Sequence, residues 1–315
     1  MILLERTTPN KLEVCEALRR RAIFADNSYQ ILTDLMLKTS IGYEGECYAD
    51  KYWEDLRLEM PHYLFHNFET THRKGYHHQM DSIFLCQNFV LVVELKYIAG
   101  EIHYDEKAHQ LWRLHNGRKL ALGDPFAQVS RHEMWMTQFL WDINVDLPII
   151  TAVIITSKSA FLGKMPERFH VFKLEGLGLK LKDWLHRYPT MLTTVQMRDV
   201  ANQLLRQHQP RMWDWRKRFG DLQFRKGIVC ECGNTLIYHR GKYSCSCGYA
   251  DRHAHLLALH DYRLLVGEWI SNHEFRKLVG IESAHAANKI LKRLRLEECG
   301  STKLRRYKIP ESIYK

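Results

Sequence analysis

Residues 80 to 100, "MDSIFLCQNFVLVVELKYIAG", restrict the fold more tightly than any other part of the chain. Two apolar, β-rich runs, Ser82 to Cys86 and Phe89 to Leu95, flank Gln87-Asn88, a pair that can close a two-residue hairpin loop. The composition is that of a buried segment, yet it carries Asp81, Glu94 and Lys96. With that loop, opposed positions sum to 175, so Asp81 stands across from Glu94 with β-carbons about 5 Å apart. Lys96 follows on the same face because side chains alternate along a strand. Two carboxylates at that separation repel unless a cation lies beside them, and a divalent metal is the economical choice. An isolated E-x-K is common at solvated strand ends, so the reading needs support from outside the hairpin.

Both flanks supply it. Upstream, "GYEGECYADKYWEDL" has helical periodicity, with Glu46, Ala49, Trp53 and Leu56 at i, i+3, i+7 and i+10, and it closes before Pro61. Glu46 heads the apolar stripe that must face the sheet. Downstream, "GDPFAQVSRHEMWMTQFLW" offers Asp124 as N-cap and Pro125 at the first helical position, and sets Gln128 and His132 one turn apart. Read singly, Glu46 is an ion-paired helix residue and Gln128 and His132 are surface polar groups; together they can reach one pocket.

In order, G-x-x-G-E at Gly42 to Glu46, Gln79-Met80-Asp81, Glu94-Leu95-Lys96 followed by Gly100, and Asp124-Pro125 with Gln128 three residues on resemble the nuclease-related domain (NERD). That family is assigned to the PD-(D/E)xK nuclease superfamily, and Met80 stands here where the superfamily's name has proline. The resemblance covers residues 10 to 175. It implies an α/β fold, a PD-(D/E)xK nuclease-like mixed sheet flanked by helices, and a Mg- or Mn-dependent nuclease acting on DNA. It makes Glu46, Asp81, Glu94, Lys96 and Gln128 the catalytic candidates. By the same resemblance Asp81 and Glu94, with Glu46 directly or through water, would hold Mg²⁺ or Mn²⁺. Lys96 would orient the attacking water and neutralise charge on phosphorus, Gln128 would position its neighbours, and His132 is a weaker candidate for phosphate contact.

The rest of the chain reads as docking modules. Two C-x-C-G elements in "CECGNTLIYHRGKYSCSCG" are separated by 12 residues, with "TLIYH" and "KYS" as short strands. They resemble a zinc ribbon in which Cys230, Cys232, Cys245 and Cys247 hold structural Zn. Each pair is one residue shorter than the usual C-x-x-C; a redox dithiol pair and free thiols are the competing readings. Gly233 and Gly248 suit the tight turn after each pair. The other cysteines, Cys15, Cys47, Cys86 and Cys299, read as reduced thiols.

Further on, "HAHLLALHDYRLLVGEWI" reads as one helix. A second begins at Ser271 or Asn272, with Glu274 completing a capping box and Gly280 ending it, and a third has Ala287, Ile290, Leu291 and Leu294 on its apolar face. With the basic hairpin-like tail "STKLRRYKIP" this resembles a winged helix-turn-helix; a small helical bundle with solvated lysines is the plainer alternative. Lys289, Lys292, Arg293, Lys303, Arg305 and Arg306 are the candidate nucleic-acid contacts. The expected organisation is a nuclease-like domain at 1–179, a basic helical connector at 180–225, a ribbon at 226–251 and a winged helix at 252–315.

Charge agrees with that division. Residues 1–179 carry 20 Lys+Arg and 23 Asp+Glu, net −3, whereas residues 180–315 carry 26 and 13, net +13. A mildly acidic catalytic segment followed by a basic half suits a nucleic-acid enzyme with separate docking modules. DNA is the expected partner. An RNA-directed nuclease and a non-catalytic DNA-binding regulator on a nuclease scaffold are the rivals. No apolar run approaches the ~20 residues of a membrane helix, the start lacks a signal-peptide layout, and a cytoplasmic protein without membrane partners is expected. There is no G-x-x-x-x-G-K-[ST], so any ATP-driven motor would be a separate protein.

Overall fold

The computed structural model describes residues 1–24, 27–56, 58–71, 75–301 and 304–314. In chain order the elements are β1 (Ile2–Leu4), α1 (Asn10–Arg21), β2 (Ala22–Ile23), α2 (Ser28–Asp55), β3 (His62–Thr71), β4 (His77–Cys86), β5 (Val90–Lys96), β6 (Gly100–Asp105), β7 (Gln110–His115), β8 (Arg118–Leu122), α3 (Pro125–Asp142), β9 (Ile149–Ile155), β10 (Ala160–Leu162) and β11 (His170–Lys173). There follow α4 (Leu177–Arg187), α5 (Thr194–Gln207), α6 (Arg216–Phe219), β12 (Gln223–Phe224), β13 (Ile237–His239), β14 (Lys242–Ser244), β15 (Ala250–Asp251), α7 (Ala254–Leu265), β16 (Trp269–Ser271), α8 (Asn272–Val279), α9 (Ala284–Arg293), β17 (Glu298–Cys299) and β18 (Arg306–Lys308). The chain divides into two compact units, Met1–Thr8 with Ser40–Arg211, and Pro9–Thr39 with Met212–Lys315.

The first unit is built on a mixed six-stranded sheet of order β1-β3-β4-β5-β9-β11, flanked by helices and consistent with a nuclease-like fold. The β4–β5 hairpin pairs Ser82 with Val93 through Leu85 with Val90, the expected register. Both faces of the sheet are covered, which is why these strands read as continuous apolar runs. Leu91, Val93 and Leu95 pack with Ala49 and Trp53 of α2 and with Leu181 and Trp184 of α4. Val90 and Val92 pack with Trp135, Met136 and Phe139 of α3 and with Met197, Val200 and Leu204 of α5. Helices α4 and α5, in the stretch expected to act as a connector, thus bury apolar faces against the main sheet. Alternation breaks near Asp81: Ile83 and Leu85 share a cluster with Met80, while Phe84 and Cys86 lie in the other. Opposite this break Asn67 takes a positive φ of 49°. A smaller sheet of order β10-β6-β7-β8, made of three strands between β5 and α3 joined by β10 after β9, packs through Ile102, Tyr104 and Leu111 on Phe126 of α3.

Helix α2 starts well before Gly42, where the sequence pattern suggested its beginning, because "SYQILTDLMLKTSI" holds neither proline nor glycine to stop it. Helix α3 starts as the sequence indicates: the Asp124 carboxylate accepts from Phe126 N at 2.8 Å and from Ala127 N at 3.3 Å, with Pro125 next.

In the second unit, α1 packs through Val14, Cys15 and Leu18 against Trp215, Leu264 and Leu265. Strands β13, β14 and β15 form an antiparallel sheet beside the four clustered cysteines. The stretch expected as one helix through Ile270 is instead α7, which ends at Leu265, followed by strand β16. Gly267 and the β-favouring Trp269-Ile270 pair end the helix, and Ser271 needs extended backbone to cap the next. The expected capping box forms, with Ser271 Oγ accepting from Glu274 N at 3.2 Å and Glu274 Oε2 accepting from Ser271 N at 2.8 Å. Gly280 ends α8 at φ 70°. Strands β16, β18 and β17 then close a three-stranded antiparallel sheet beside α8 and α9.

Candidate functional site

Four elements of the first unit bring the sequence candidates together. Asp81 comes from β4, Glu94 and Lys96 from β5, Glu46 from α2 and Gln128 from α3. Glu94 and Lys96 share one strand face, and Lys96 Nζ donates to Glu94 Oε1, with Gln128 Oε1 on the same nitrogen at 3.4 Å. Asp81 reaches β5 directly: its Oδ2 accepts the Leu95 backbone N–H at 2.7 Å. That bond replaces the simple face-to-face pair that a regular hairpin would give, and it lies where strand alternation breaks. Glu46 sits on α2 above the sheet, where Gly45 allows the close approach; a Cβ at Gly45 would lie 2.8 Å from Thr156 Oγ1 and 2.9 Å from Tyr97 Cβ. This is the physical reason for glycine before the glutamate.

The acids of the site are buried or nearly so, while Lys96 is partly exposed. Glu94 is 1% exposed, and its Oε2 is buried without a hydrogen bond. Burial, then the charge of Asp81, pushes the Glu94 carboxyl up to about 8 despite Lys96. Glu46 goes up to about 7 for the same two reasons, opposed by Arg6. The Asp81 carboxyl is also raised by burial, against the pull of Lys96 and the Leu95 N–H. For Lys96, burial works against the charge, but Glu94 and Asp81 outweigh it and hold the ammonium above its ordinary range. His132 lies 3.8 Å from Glu94 Oε2 through Nε2, and its Nδ1 is 3.3 Å from His78 Nδ1. Burial and then His78 push His132 down to about 4, so it is neutral at pH 7.

Sequence reasoning missed the other half of this arrangement. Arg6, with a side chain 3% exposed, donates to Glu46, Asp50 and Asn67. His66 lies beside Asp50 and Ser82, and burial lowers its imidazole to about 4. Asp50 was readable, one helical turn after Glu46. Arg6 was not: no local spacing links it to residues 40 and more positions away.

In the second unit the four cysteine sulfurs all lie within 4.8 Å of one another, and this is the cluster of metal-ligand type found among the described residues. Cys230 and Cys247 sulfurs are 3.7 Å apart, Cys232 and Cys245 3.4 Å. The two C-x-C-G turns are built alike. Gly233 N donates to Cys230 O at 2.9 Å and Gly248 N to Cys245 O at 3.1 Å, while Cys230 N and Cys245 N each bond the carbonyl four residues on at 2.8 Å. Gly233 and Gly248 have φ of 89° and 93°, as the turn requires. This cluster could hold a metal such as zinc.

Lys289, Lys292 and Arg293 are exposed on α9, with no ion-pair partner among the described residues. Arg305 and Arg306 are engaged inside the module: Arg305 pairs with Glu298 at 3.3 Å, and Arg306 with Glu274 at 3.8 Å and the Trp269 carbonyl at 3.0 Å. Lys303 lies outside the described residues. No helix is long and apolar enough to cross a membrane, among the residues described.

A large mixed sheet flanked by helices is consistent with a nuclease-like class of fold. Residues 41–156 match the model of the nuclease-related domain (NERD), and this segment of the chain is similar to that family. No curated protein matches the chain.

Proposed function

We propose that this protein is a metal-dependent nuclease hydrolysing phosphodiester bonds of DNA, with its second unit docking the substrate. The observation that carries the reading is a charge deficit in a buried site. Among the described residues, the permanently charged partners of Glu46, Asp50, Asp81 and Glu94 are Arg6 and Lys96, with His66 and His132 beside them neutral, which leaves two uncompensated negative charges when all four acids are ionised. Such a deficit is costly away from water, and one divalent cation cancels it. The unpartnered Glu94 Oε2 and the all-oxygen donor set suit Mg²⁺ or Mn²⁺, held by Asp81 and Glu94 with Glu46 alongside. When bound, that ion would polarise a phosphate oxygen and lower the pKa of a coordinated water.

The chain's own groups supply the rest. Lys96 Nζ, kept cationic by its acidic neighbours, donates to a phosphate oxygen and does not accept a proton from water. Gln128 Oε1 steers that ammonium from α3. His132, neutral, stands 3.8 Å from Glu94 Oε2 through Nε2 and makes no hydrogen bond to it, so it lines the buried side of the acids without competing for that oxygen.

For the second unit, helix α7, strand β16, helices α8 and α9 and the β17–β18 pair follow the order of a winged helix-turn-helix, and we assign α9 to the DNA groove with Lys289, Lys292 and Arg293 on phosphates. The four thiolates suit a structural Zn²⁺: a tetrahedron with Zn–S of about 2.3 Å has edges of about 3.8 Å, close to the sulfur spacings here.

The test is incubation of the purified protein with supercoiled, linear and single-stranded DNA, with and without Mg²⁺ or Mn²⁺. Metal-dependent nicking or degradation is the expected result. Tight DNA binding without cleavage in either metal would instead support the regulator.

A further inference from the structure

Arg6 lies 35 positions before the family-matched segment, yet every nitrogen of its guanidinium is bonded inside the candidate site. Nε and Nη2 clamp the two oxygens of Asp50 at 2.7 and 3.0 Å. Nη1 donates to Asn67 Oδ1 at 2.6 Å and to Glu46 Oε2 at 2.7 Å. Nη2 also reaches the Asp81 carbonyl at 2.9 Å and Ser82 Oγ at 3.3 Å. The guanidinium is thus fixed from α2, β3 and β4 independently of Glu46. Glu46 is held by one oxygen only, and its Oε1 has no hydrogen-bond partner among the described residues.

We propose that Arg6 is a positioning residue for Glu46, and that Met1–Thr8 is therefore part of the catalytic unit although it lies outside the matched domain. The proposal rests on the reading of Glu46, Asp81 and Glu94 as a divalent-metal site. A glutamate on a helix has three side-chain torsions to fix before it can serve as a ligand. A bidentate-anchored arginine on Oε2 removes that freedom and presents Oε1 in one direction. It also supplies the cation that lets a buried glutamate ionise beside Asp81. Lysine cannot replace it, because a single ammonium cannot hold Asp50 in a fork and Glu46 at the same time.

The experiment is a double-variant cycle read by Mn²⁺ binding calorimetry without DNA, on the full chain, with melting temperature recorded alongside. Arg6→Lys is expected to weaken Mn²⁺ binding at least tenfold in the wild-type background and less than twofold in a Glu46→Gln background, since the coupling runs through Glu46. Equal weakening in both backgrounds, or none in either, overturns the proposal. Should Arg6→Lys not fold, Asp50→Asn loosens the same guanidinium and must show the same dependence on Glu46. Wild-type protein that takes up no Mn²⁺ overturns the metal site itself, which is a separate outcome from loss of coupling.

Discussion

Burial pushes the Glu94 carboxyl up to about 8 and the Glu46 carboxyl up to about 7, while His66 and His132 are pushed down to about 4. A raised carboxyl stabilises the fold fully below its ordinary range near 4.5, and that contribution is lost as pH rises through the folded value. The lowered histidines act in the opposite sense and lose their contribution as pH falls from about 6.5 through 4. Between pH 6.5 and 8 these histidines no longer contribute to the slope, and the loss from the raised acids is opposed by the lowered Cys245 thiol and the lowered N-terminal ammonium. Metal-free protein is expected to lose on the order of 2 kcal/mol over that interval from Glu94, at up to ~1.4 kcal/mol per pH unit. Glu94→Gln should flatten the trend, and denaturant melts at three pH values measure it; an unchanged slope contradicts the burial of this carboxyl. Asp81→Ala is a poorer probe of charge repulsion, because it also orphans the Leu95 N–H. At this scale the shared face of Glu94 and Lys96 was legible because alternation along one strand is a local rule, whereas Asp81 lies where alternation breaks and bonds the Leu95 N–H in place of the simple pair with Glu94. Arg6 was invisible because its partners, Glu46 to Ser82, are joined to it only by the fold.

Among the elements, α2 is the sharpest test of packing. Gly42 and Gly45 look alike in the sequence, but a Cβ at Gly42 meets nothing within 4 Å and one at Gly45 meets Thr156 and Tyr97. Gly45→Ala is expected to cost roughly 1–3 kcal/mol through overpacking, whereas Gly42→Ala should stabilise by up to about 1 kcal/mol through helix propensity. Melting temperatures moving in the same direction for both would contradict this seating of α2. The ribbon is the second element open to test. Chelation, or Cys230→Ser, should speed hydrogen exchange across residues 226–251 while exchange in β4, β5 and β9 is unchanged, and elemental analysis should return one zinc per chain. Caps and turns were readable here, as Asp124, Ser271, Gly233 and Gly248 show, since each satisfies backbone groups within four residues. Strand β16 was not, because its partner β18 lies 37 residues on.

At the scale of the whole molecule the net charge of +13 over residues 180–315 predicts salt-dependent DNA binding. Lys289→Ala with Lys292→Ala should lower the slope of log K against log salt by roughly 1 to 2, about 0.9 for each phosphate no longer neutralised. Arg305→Ala is expected to change it less, because that side chain is already paired with Glu298. The charge asymmetry was plain in the sequence. The interleaving of the units was not: Pro9–Thr39 belongs with Met212–Lys315, through Arg20 and Arg21 on the buried Asp261 at 2.7 and 3.0 Å. The most direct test of the account is the single-turnover cleavage rate of wild type and Glu94→Gln at saturating DNA in Mn²⁺. Wild type should cleave, and Glu94→Gln, folded and binding DNA with unchanged affinity, should cleave on the order of 10²- to 10³-fold more slowly or not at all. Cleavage by the variant at the wild-type rate would contradict the assignment of this buried hairpin as the catalytic centre.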